Sequence, residues 1–309
     1  MKIVIIGSGN VAEALACALT QAGLPPVQIF ARSYAKATRV ATRAAGFAHS
    51  AAAVTVCAAT RTEVAICPAA TTHSAVATNS ATVQAAARVA GRCPVTDDPR
   101  ELAEADLYII AVADKAIAGV AASLDLGRAG RTGRSVVAHT AGSVGLDVFP
   151  PDVRNAAVFY PLQTFSRGRM IDMRSVPILV EGRNAHSLKI VREVAEALSD
   201  SVIEADSARR AAAHLAAVFT NNFTNYMYTV GAQLAAEAGL DFGLLKPLVR
   251  ETAAKALEAN SPVAVQTGPA VRNDFRTRSR HCEMLAAKPE LQNLYINISK
   301  NIWEISKKR

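Results

Sequence analysis

The chain has 309 residues, of which 50% are hydrophobic and 19% are charged, and its formal net charge is +8. This length exceeds the usual size of one hydrophobic core, so we expect two packed units, and the composition excludes a chain that is disordered throughout. The basic residues are scattered and are not interleaved with aromatic side chains, which favours an anionic small-molecule ligand over nucleic acid.

The sequence also does not indicate a membrane protein, a metal-binding protein or a disulfide-linked scaffold. No window approaches the roughly 18 uninterrupted apolar residues that a membrane helix needs, and the apolar start reaches Gly7 too soon for a signal-peptide core. We therefore expect a cytoplasmic protein with no membrane partner. The five cysteines form no C-x-x-C pair, which indicates neither a disulfide framework nor a zinc site.

Strands and helices alternate from the start of the chain to about residue 206. Residues 2–6 form an apolar β-branched segment that is typical of a strand buried on both faces. Residues 91–98 resemble a strand followed by a turn, and further strands are predicted at residues 27–31, 106–113, 135–139, 157–160, 177–180 and 202–204. Helices of this region are predicted at residues 11–22, 35–46, 115–124 and 185–199. Such alternation predicts an α/β fold with a doubly wound parallel sheet.

One stretch, at about residues 47–90, interrupts this alternation. Residues 47–87 are almost all Ala, Thr, Val and Ser, and their only charged residues are Arg61 and Glu63. The flanking segments complete a strand–helix–strand crossover when this stretch is left out, so it is predicted to be an insertion. Two forms remain open for it, a poorly ordered segment or a small hydrophobic flap.

Long helices rich in Ala and Leu dominate the last third of the chain. They are predicted at residues 208–238, 242–260, 268–287 and 290–307. We therefore divide the chain into an α/β domain at residues 1–206 and an all-helical domain at residues 207–309.

The first strand and the first helix are joined by a G-x-G-x-x-A turn. Its residues are Gly7, Ser8, Gly9, Asn10, Val11 and Ala12. Glycine allows a tight turn in which backbone touches a pyrophosphate, and a small third residue lets the helix pack on the strand. The N–H groups at the start of the helix can bind phosphate. In this position the motif predicts a Rossmann domain that binds a dinucleotide through residues 7–11.

The second predicted strand ends with Arg32 and Ser33, where an enzyme that uses NAD normally has an acidic residue for the ribose diol. A guanidinium group and a hydroxyl suit a 2′-phosphate instead, so we predict NADP(H) as the cofactor. The alternative is that Arg32 is a solvated loop residue.

Two later segments fall at the carboxyl ends of predicted strands, where ligands bind in open parallel sheets. Ala111, Val112 and Ala113 are small enough for the cofactor ribose and nicotinamide to approach the backbone. His139 ends the next strand. It could donate a proton to a substrate oxygen or could hydrogen-bond a neighbouring loop, and both interpretations stay open.

Four separated motifs carry a family resemblance. They are the turn at Gly7, Ala-His-Thr-Ala-Gly-Ser at 138–143, Phe-Tyr-Pro-Leu-Gln-Thr-Phe at 159–165, and Thr-Gly-Pro-Ala-Val-Arg-Asn-Asp at 267–274. Together they resemble the bacterial Rossmann-like DUF2520 proteins, which are often described as NADP oxidoreductases of the coenzyme F420-dependent type. More distant relatives are pyrroline-5-carboxylate reductase and the 6-phosphogluconate and 3-hydroxyisobutyrate dehydrogenases. The resemblance, which omits the insertion, implies a helical domain like the C-terminal domain of 6-phosphogluconate dehydrogenase. It leaves coenzyme F420 open as a co-substrate.

The first long helix after the sheet carries substrate-binding residues in those distant dehydrogenases, a lysine and an asparagine four positions later. Here His214 begins the corresponding stretch, and the amides follow at Asn221, Asn222 and Asn225. At α-helical spacing, residues 214, 221 and 225 share a narrow stripe, so His214, Asn222 and Asn225 are candidate catalytic residues. The alternative is a polar stripe satisfied within a helical core. The missing lysine argues against 3-hydroxyacid oxidation and leaves carbonyl or imine reduction, with His214 or His139 as proton donor.

Arg272 is a further candidate, by resemblance to the stretch of pyrroline-5-carboxylate reductase that helps to build its active site. A planar guanidinium group is well suited to a substrate carboxylate. The alternative is that Arg272 interacts with Asp274 and only fixes the loop.

The sequence therefore favours an NADP(H)-dependent oxidoreductase that acts on a small, anionic carbonyl or imine compound in a cleft between the domains. A non-catalytic NADP(H)-binding sensor is the alternative. The C-terminal helices carry more apolar residues than one small bundle covers, and the resembling dehydrogenases pair these domains about a two-fold axis. We accordingly expect a homodimer formed through residues 208–309.

Overall fold

The computed structural model describes residues 1–57, 93–123 and 134–308, with side chains described outside residues 48–57. The chain forms two compact units, Met1–Asn221 and Asn222–Arg309. Residues 207–221 fall in the first unit, although they follow the last strand. The domain boundary at 206/207 therefore remains a proposal, based on the change from sheet to helix.

The first unit is built on a sheet of eight strands within the described ranges. The strands are β1 (Ile3–Ile6), β2 (Gln28–Phe30), β3 (Val95–Thr96), β4 (Leu107–Ile110), β5 (Val136–His139), β6 (Ala156–Pro161), β7 (Ile178–Gly182) and β8 (Val202–Glu204). They lie in the order β3-β2-β1-β4-β5-β6-β7-β8. The first six strands therefore have the 3-2-1-4-5-6 order of a Rossmann domain, which confirms the predicted α/β fold.

Strand direction changes once in this sheet. All neighbouring strands are parallel except β6 and β7, which are antiparallel. Residues 162–177 join these two strands and contain a short 3₁₀ turn, Met173–Ser175, but no α-helix. A parallel pair needs a long crossover, usually a helix, whereas an antiparallel pair does not. The β6–β7 pair is thus an antiparallel addition to the predicted doubly wound sheet.

Helices cover both faces of the sheet. The helices of the first unit are α1 (Asn10–Gln21), α2 (Tyr34–Cys57), α3 (Ile117–Ser123), α4 (Ala185–Leu198) and α5 (Ser207–Ala217). Ile3 and Ile5 of β1 pack in one core with α1, α2 and α4, and Val4 and Ile6 pack in a second core with α3. Successive strand residues point to opposite faces, so a strand covered on both sides is apolar at every position.

Helix α2 is longer than predicted. It was expected to end near Gly46, but it continues to Cys57. The stretch is rich in alanine, and one internal glycine costs a helix only about 1 kcal/mol relative to alanine. The rest of the predicted insertion, residues 58–90, lies outside the described residues.

The second unit is helical, as predicted. Its helices are α6 (Thr224–Glu237), α7 (Lys246–Glu258), α8 (Phe275–Met284) and α9 (Pro289–Ser306). The helix predicted at residues 268–287 is shorter because Gly268 and Asn273 have positive φ angles, 109° and 50°. Asp274 then caps α8 by accepting a hydrogen bond from the Thr277 N–H at 3.0 Å.

A π-helical turn, Val218–Phe223, separates α5 from α6. One uninterrupted α-helix was predicted at residues 208–238, and the periodicity of apolar residues does not reveal such a turn. Turns of this type occur mostly as single insertions in α-helices and are frequent at functional sites.

Neither a membrane span nor a metal cluster is found among the described residues. Within residues 1–57, 93–123 and 134–308, every helix is too short or too polar to cross a bilayer. In the same part of the chain, His, Cys, Asp and Glu side chains form no group of three or more that could hold a metal ion.

Candidate functional site

The predicted dinucleotide-binding turn lies where β1 leads into α1. Gly7 has a φ of +138°, and a Cβ built on it would stand 2.1 Å from the carbonyl oxygen of Ala111, just after β4. The Gly7 N–H donates to the carbonyl oxygen of Phe30, the last residue of β2, at 2.8 Å. Gly7 therefore lies between the ends of three strands, in a conformation and a space that only glycine fits.

The N-terminus of α1 is open toward this turn. Gly9 is the N-cap residue and provides no side-chain cap, and a Cβ built on it would meet no described atom within 4 Å. The Asn10 side chain does not cap the helix, because its Nδ2 donates to the carbonyl oxygen of Phe165 at 2.9 Å. Ser8 and Val11 are half-buried beside the turn. The first-turn N–H groups and the helix dipole suit a pyrophosphate, so this site fits the phosphates of a dinucleotide.

A buried carboxylate supports the turn from within the fold. Glu13, in the first turn of α1, is 6% exposed. Its oxygens lie 2.8 Å from Arg43 and 3.8 Å from Arg39, which both belong to α2. Arg39 also donates to the carbonyl oxygen of Ser8 at 3.2 Å. These contacts hold α2 against the turn, and the carboxylate offsets guanidinium charge beside the phosphate site.

Arg32 and Ser33 follow β2 beside the same turn. Arg32 is exposed, and its side chain has neither an ion pair nor a hydrogen bond with another described residue. Ser33 is half-buried, and its carbonyl oxygen accepts from the N–H groups of Lys36 and Ala37, both at 3.1 Å. Arg32 therefore lies just after β2 with an exposed side chain, and its role toward a 2′-phosphate remains a prediction.

The end of β4 forms the other side of the turn. Ala111 is buried, and its N–H donates to the carbonyl oxygen of Ile6 at 2.8 Å. Val112 is half-buried and Ala113 is exposed. The role of these three residues beside a cofactor remains a prediction.

His139 is fully buried at the end of β5. Its ring stacks on Phe149 with 5.6 Å between the centroids, and its Nδ1 accepts from the Ala141 N–H at 3.2 Å. Burial lowers the pKa of His139 to about 4, and the nearby Arg210 guanidinium lowers it too, whereas the Gly145 backbone acts in the opposite direction. This neutral, enclosed ring favours the loop-holding interpretation over proton donation to a substrate.

His214 meets a tyrosine that sequence reasoning did not select. The Tyr160 hydroxyl, on β6, lies 3.1 Å from Nδ1 of His214 on α5. Both side chains are half-buried. A Cβ built on Gly142 would stand 2.6 Å from Cζ of Tyr160 and 2.9 Å from Nδ1 of His214. Residues from β6, α5 and the loop after β5 therefore meet at one point, which we call the Tyr160–His214 pair.

Charged groups lie around this pair without being hydrogen-bonded to it. Burial raises the pKa of Tyr160, the Asp114 carboxylate raises it further, and the Arg210 guanidinium opposes both effects. Asp114 itself accepts a hydrogen bond from the Ser143 hydroxyl at 2.7 Å. This bond links the segments that follow β4 and β5.

Arg210 anchors α5 to the sheet. Its side chain is 1% exposed and pairs with the carboxylate of Glu181 on β7. The guanidinium also donates to the carbonyl oxygen of Val144 at 2.5 Å and to the Ser207 hydroxyl at 3.3 Å. His214 is four positions later and so lies on the same helix face. The anchor therefore helps to position the His214 side chain.

The other three predicted catalytic residues belong to the second unit. Asn222, Asn225 and Arg272 are all exposed. In the part of the chain that the structure describes, no ion pair joins Arg272 to Asp274, whose carboxylate accepts from the Thr277 N–H and hydroxyl instead. The loop is thus fixed by Asp274 and Thr277. The catalytic roles of these three residues remain predictions.

The polar stripe drawn through residues 214, 221 and 225 rests on α-helical spacing. The π turn Val218–Phe223 lies within that interval. Bonds from i to i+5 advance the chain by a smaller angle per residue than α-helical bonds, so the α-helical spacing on which this prediction rests does not apply through the turn. The His214 contact that the structure does provide, with Tyr160, crosses between distant parts of the sequence.

Sequence reasoning missed the Tyr160–His214 pair although one signal was present. Tyr160 and Gly142 both lie within the motifs that carry the family resemblance, and both fall at carboxyl ends of strands. The ion pairs of Glu13 and Arg210 had no such signal. In each pair the two charged residues lie on different helices or strands, which only the fold brings together.

Two family models match the chain. The model of a domain of unknown function, DUF2520, matches residues 176–302, and the model of shikimate/quinate 5-dehydrogenase matches residues 1–98. No curated protein matches the sequence significantly.

Three solved structures resemble the whole chain. A "putative NADP oxidoreductase" from Bacteroides fragilis is 32% identical, with 98% of each chain covered and a TM-score of 0.73. A protein from Thermotoga maritima is 18% identical, with 99% of this chain and 98% of the other covered and a TM-score of 0.64. An imine reductase from Streptomyces aurantiacus is 13% identical, with 100% and 99% covered and a TM-score of 0.53. The Thermotoga maritima and Streptomyces aurantiacus proteins, at 18% and 13% identity, show only that the fold is shared with this chain.

The chain belongs to the same family as the Bacteroides fragilis protein, to which it is 32% identical over 98% of each chain, and its residues 176–302 match the DUF2520 model. That assignment confirms the resemblance seen in the four motifs. The DUF2520 match begins at residue 176, within the first unit, whereas the likeness to the Bacteroides fragilis protein extends over both units.

Proposed function

We propose that the protein is an NADP(H)-dependent oxidoreductase that transfers a hydride to or from a small, anionic carbonyl or imine compound. The observation that carries this proposal is the open N-terminus of α1 beside Gly7, at the edge of a Rossmann sheet. The description of the Bacteroides fragilis relative as an NADP oxidoreductase supports it.

Each part of the cofactor has candidate partners in this chain. Gly7, Ser8, Gly9, Asn10 and Val11 would hold the pyrophosphate against the backbone and the α1 N-terminus. Arg32 and Ser33 would bind the 2′-phosphate, and residues 111–113 would lie against the nicotinamide ribose. When bound, the cofactor supplies or accepts the hydride, and the protein supplies the proton that accompanies it.

Five side chains are proposed for the substrate side. His214 and His139 are the two histidines at the sheet edge, and the contacts of His139 favour His214 as the one that takes part in proton transfer. Asn222, Asn225 and Arg272 are kept as proposed substrate-binding residues. An anionic substrate is consistent with the net charge of +8. Coenzyme F420 as a co-substrate and a cytoplasmic location are kept only as proposals.

We also propose that the protein acts as a homodimer. Among the described residues of the second unit, Ala270 and Leu285 are the only buried hydrophobic residues. Large side chains of the same unit are exposed, for example Leu248 at 64%, Leu257 at 86% and Phe275 at 77%. A helical unit that leaves so much apolar surface exposed is expected to bury it against a partner. The simplest partner is a second copy of the chain, related by a two-fold axis.

The function is tested in two steps with the purified full-length protein. Titration with NADPH and NADH, followed by fluorescence, should show binding with a preference for NADPH. NADPH oxidation is then measured against a panel of keto acids, cyclic imines and oxidised F420. Absence of NADPH binding would contradict the proposal, and binding without turnover would favour the non-catalytic sensor.

A further inference from the structure

The Tyr160–His214 pair lies at the edge of the sheet where the nucleotide turn is found. Strands β1, β4, β5 and β6 are parallel neighbours in that order, so their carboxyl ends share one edge. Tyr160 is one residue from the end of β6, and β6 is three strands, or roughly 14 Å, from β1. A ligand that begins at Gly7 and follows this edge would reach the region of β5 and β6.

The two side chains of the pair have complementary proton chemistry. The raised pKa of Tyr160 keeps its phenol protonated near neutral pH, so the hydroxyl is a donor. An imidazole is the side chain that most readily gains or loses a proton in this pH range. A phenol alone releases its proton reluctantly, but an imidazolium at hydrogen-bonding distance can replace that proton as it leaves.

Neighbouring groups hold the pair in place. The missing Cβ of Gly142 allows the loop after β5 to lie directly against both side chains. The buried Arg210–Glu181 ion pair fixes the helix face that carries His214. Positions set by packing and buried ion pairs are the kind that catalytic geometry requires.

We propose that Tyr160 donates the proton in the reductive reaction and that His214 supplies its replacement, an inference that rests on the proposed function. The substrate carbon receives the hydride with its electron pair, and the π electrons of the C=O or C=N bond become a lone pair on oxygen or nitrogen. That atom takes the proton of the Tyr160 hydroxyl. The resulting phenolate takes the Nδ1 proton of His214, which regains one from water, and in oxidation every transfer is reversed.

Other titratable groups near Tyr160 make their described contacts with residues other than Tyr160. Asp114 accepts from Ser143, Arg210 is paired with Glu181, and His139 is enclosed with its Nδ1 bonded to Ala141. Among the described side chains, His214 makes the hydrogen bond to the Tyr160 hydroxyl. Tyr160 is therefore assigned as a catalytic residue, and His214 as the residue that acts through it.

The test uses two variants and a matched control in the full-length protein. Tyr160→Phe removes the proton and keeps the ring, and His214→Gln keeps a hydrogen-bonding group that cannot titrate. Tyr295→Phe is the control, because it removes the hydroxyl from another tyrosine–histidine contact, the 2.8 Å bond to Nδ1 of His281. NADPH affinity, thermal stability, and kcat as a function of pH are measured with the best substrate of the panel.

The proposal predicts a specific pattern of effects. Tyr160→Phe should lower kcat by roughly 10²- to 10⁴-fold while NADPH affinity stays within about twofold. The pH profile of kcat for reduction should differ between wild type and His214→Gln, because only the wild-type side chain can pass a proton to Tyr160. Tyr295→Phe should keep both kcat and its pH profile.

Each contrary outcome has a distinct meaning. If wild type fails to bind NADPH, the proposed function itself is contradicted. If it binds NADPH but reduces no compound of the panel, the proton-donor role is overturned while nucleotide binding stands. A Tyr160→Phe variant with wild-type kcat, or an unchanged pH profile in His214→Gln, would overturn the pair as the proton source.

Discussion

Gly7 and Ala111 approach so closely that a Cβ on Gly7 would stand 2.1 Å from the Ala111 carbonyl oxygen. Gly9, two residues later in the same turn, has no described atom within 4 Å of the place where its Cβ would be. The two glycines of the motif are therefore needed for different reasons. The first is required by the fold, and the second leaves room beside the proposed phosphate site.

Alanine substitutions should separate these constraints. Gly7→Ala should lower the free energy of unfolding by about 3 kcal/mol or more, because the added carbon meets backbone and the positive φ is strained. Gly9→Ala should cost about 1 kcal/mol or less, yet weaken NADPH binding, because its methyl group projects toward the pyrophosphate. Denaturant unfolding and fluorescence titration measure the two effects. Retained NADPH affinity in a folded Gly9→Ala variant would argue against phosphate binding at this turn.

Nucleotide preference should depend on Arg32. Arg32→Ala should weaken NADPH binding by roughly 10- to 100-fold, the usual value of a hydrogen bond to a charged group, and should leave NADH affinity nearly unchanged. NADH is the internal control because it lacks the 2′-phosphate. Equal affinities for the two nucleotides in wild type would show that Arg32 is a solvated loop residue.

Gly142→Ala should disturb the Tyr160–His214 pair without removing either group. The added methyl would meet both side chains at less than 3 Å, so they must move. A displacement near 1 Å can cost on the order of 100-fold in rate, so kcat should fall while NADPH affinity is kept. Gly119→Ala on α3 is the control, since its Cβ would meet no described atom within 4 Å. Equal kcat values in the two variants would speak against catalysis at this point.

Acid should destabilise the protein through His139. The ordinary pKa of histidine is 6.5, and the buried ring of His139 titrates at about 4. Between these pH values the unfolded chain binds more protons than the folded one, so the free energy of unfolding falls as pH falls. The loss over this window is about 3 kcal/mol at most. Urea unfolding at several pH values should show this slope in wild type and a shallower one in His139→Gln.

Self-association should require the apolar surface of the second unit. We expect light scattering at micromolar concentration to give a dimeric mass, and the double substitution Leu248→Glu and Leu257→Glu to lower it, because charges are unfavourable in an apolar interface. Ile203→Glu, at an exposed site of the first unit, is the control. A monomeric wild-type protein would contradict the dimer.

The elements with strong local signals could be predicted from the sequence. The turn after β1, the α/β class of the first unit and the helical second unit follow from apolar runs, glycine positions and alternation. The direction of β7 could not be inferred in this way, because a strand buried on both faces looks the same in either direction. The π turn at Val218–Phe223 was also hidden, since a single extra residue per turn barely changes an apolar pattern.

For the candidate site, the sequence indicated the nucleotide turn and selected His214, but it did not select Tyr160. The turn depends on a short motif whose residues are adjacent in sequence. The Tyr160–His214 contact joins residues 54 positions apart, and its geometry depends on Gly142 and on the Arg210 anchor. Each of these contacts appears only when the sheet and α5 are assembled.

The ion pairs of Glu13 with Arg39 and Arg43 bear on how the nucleotide preference of this protein could change. Arg39 and Arg43 lie near the turn, but both face the same buried carboxylate, and removing either would disturb the packing of α1 on α2. Arg32 has no such structural role, because its exposed side chain contacts no charged partner among the described residues. Under the proposed role of Arg32, selectivity between the two nicotinamide nucleotides is separated from the integrity of the domain. In evolutionary terms, a single surface substitution that the fold tolerates would then be enough to change that preference.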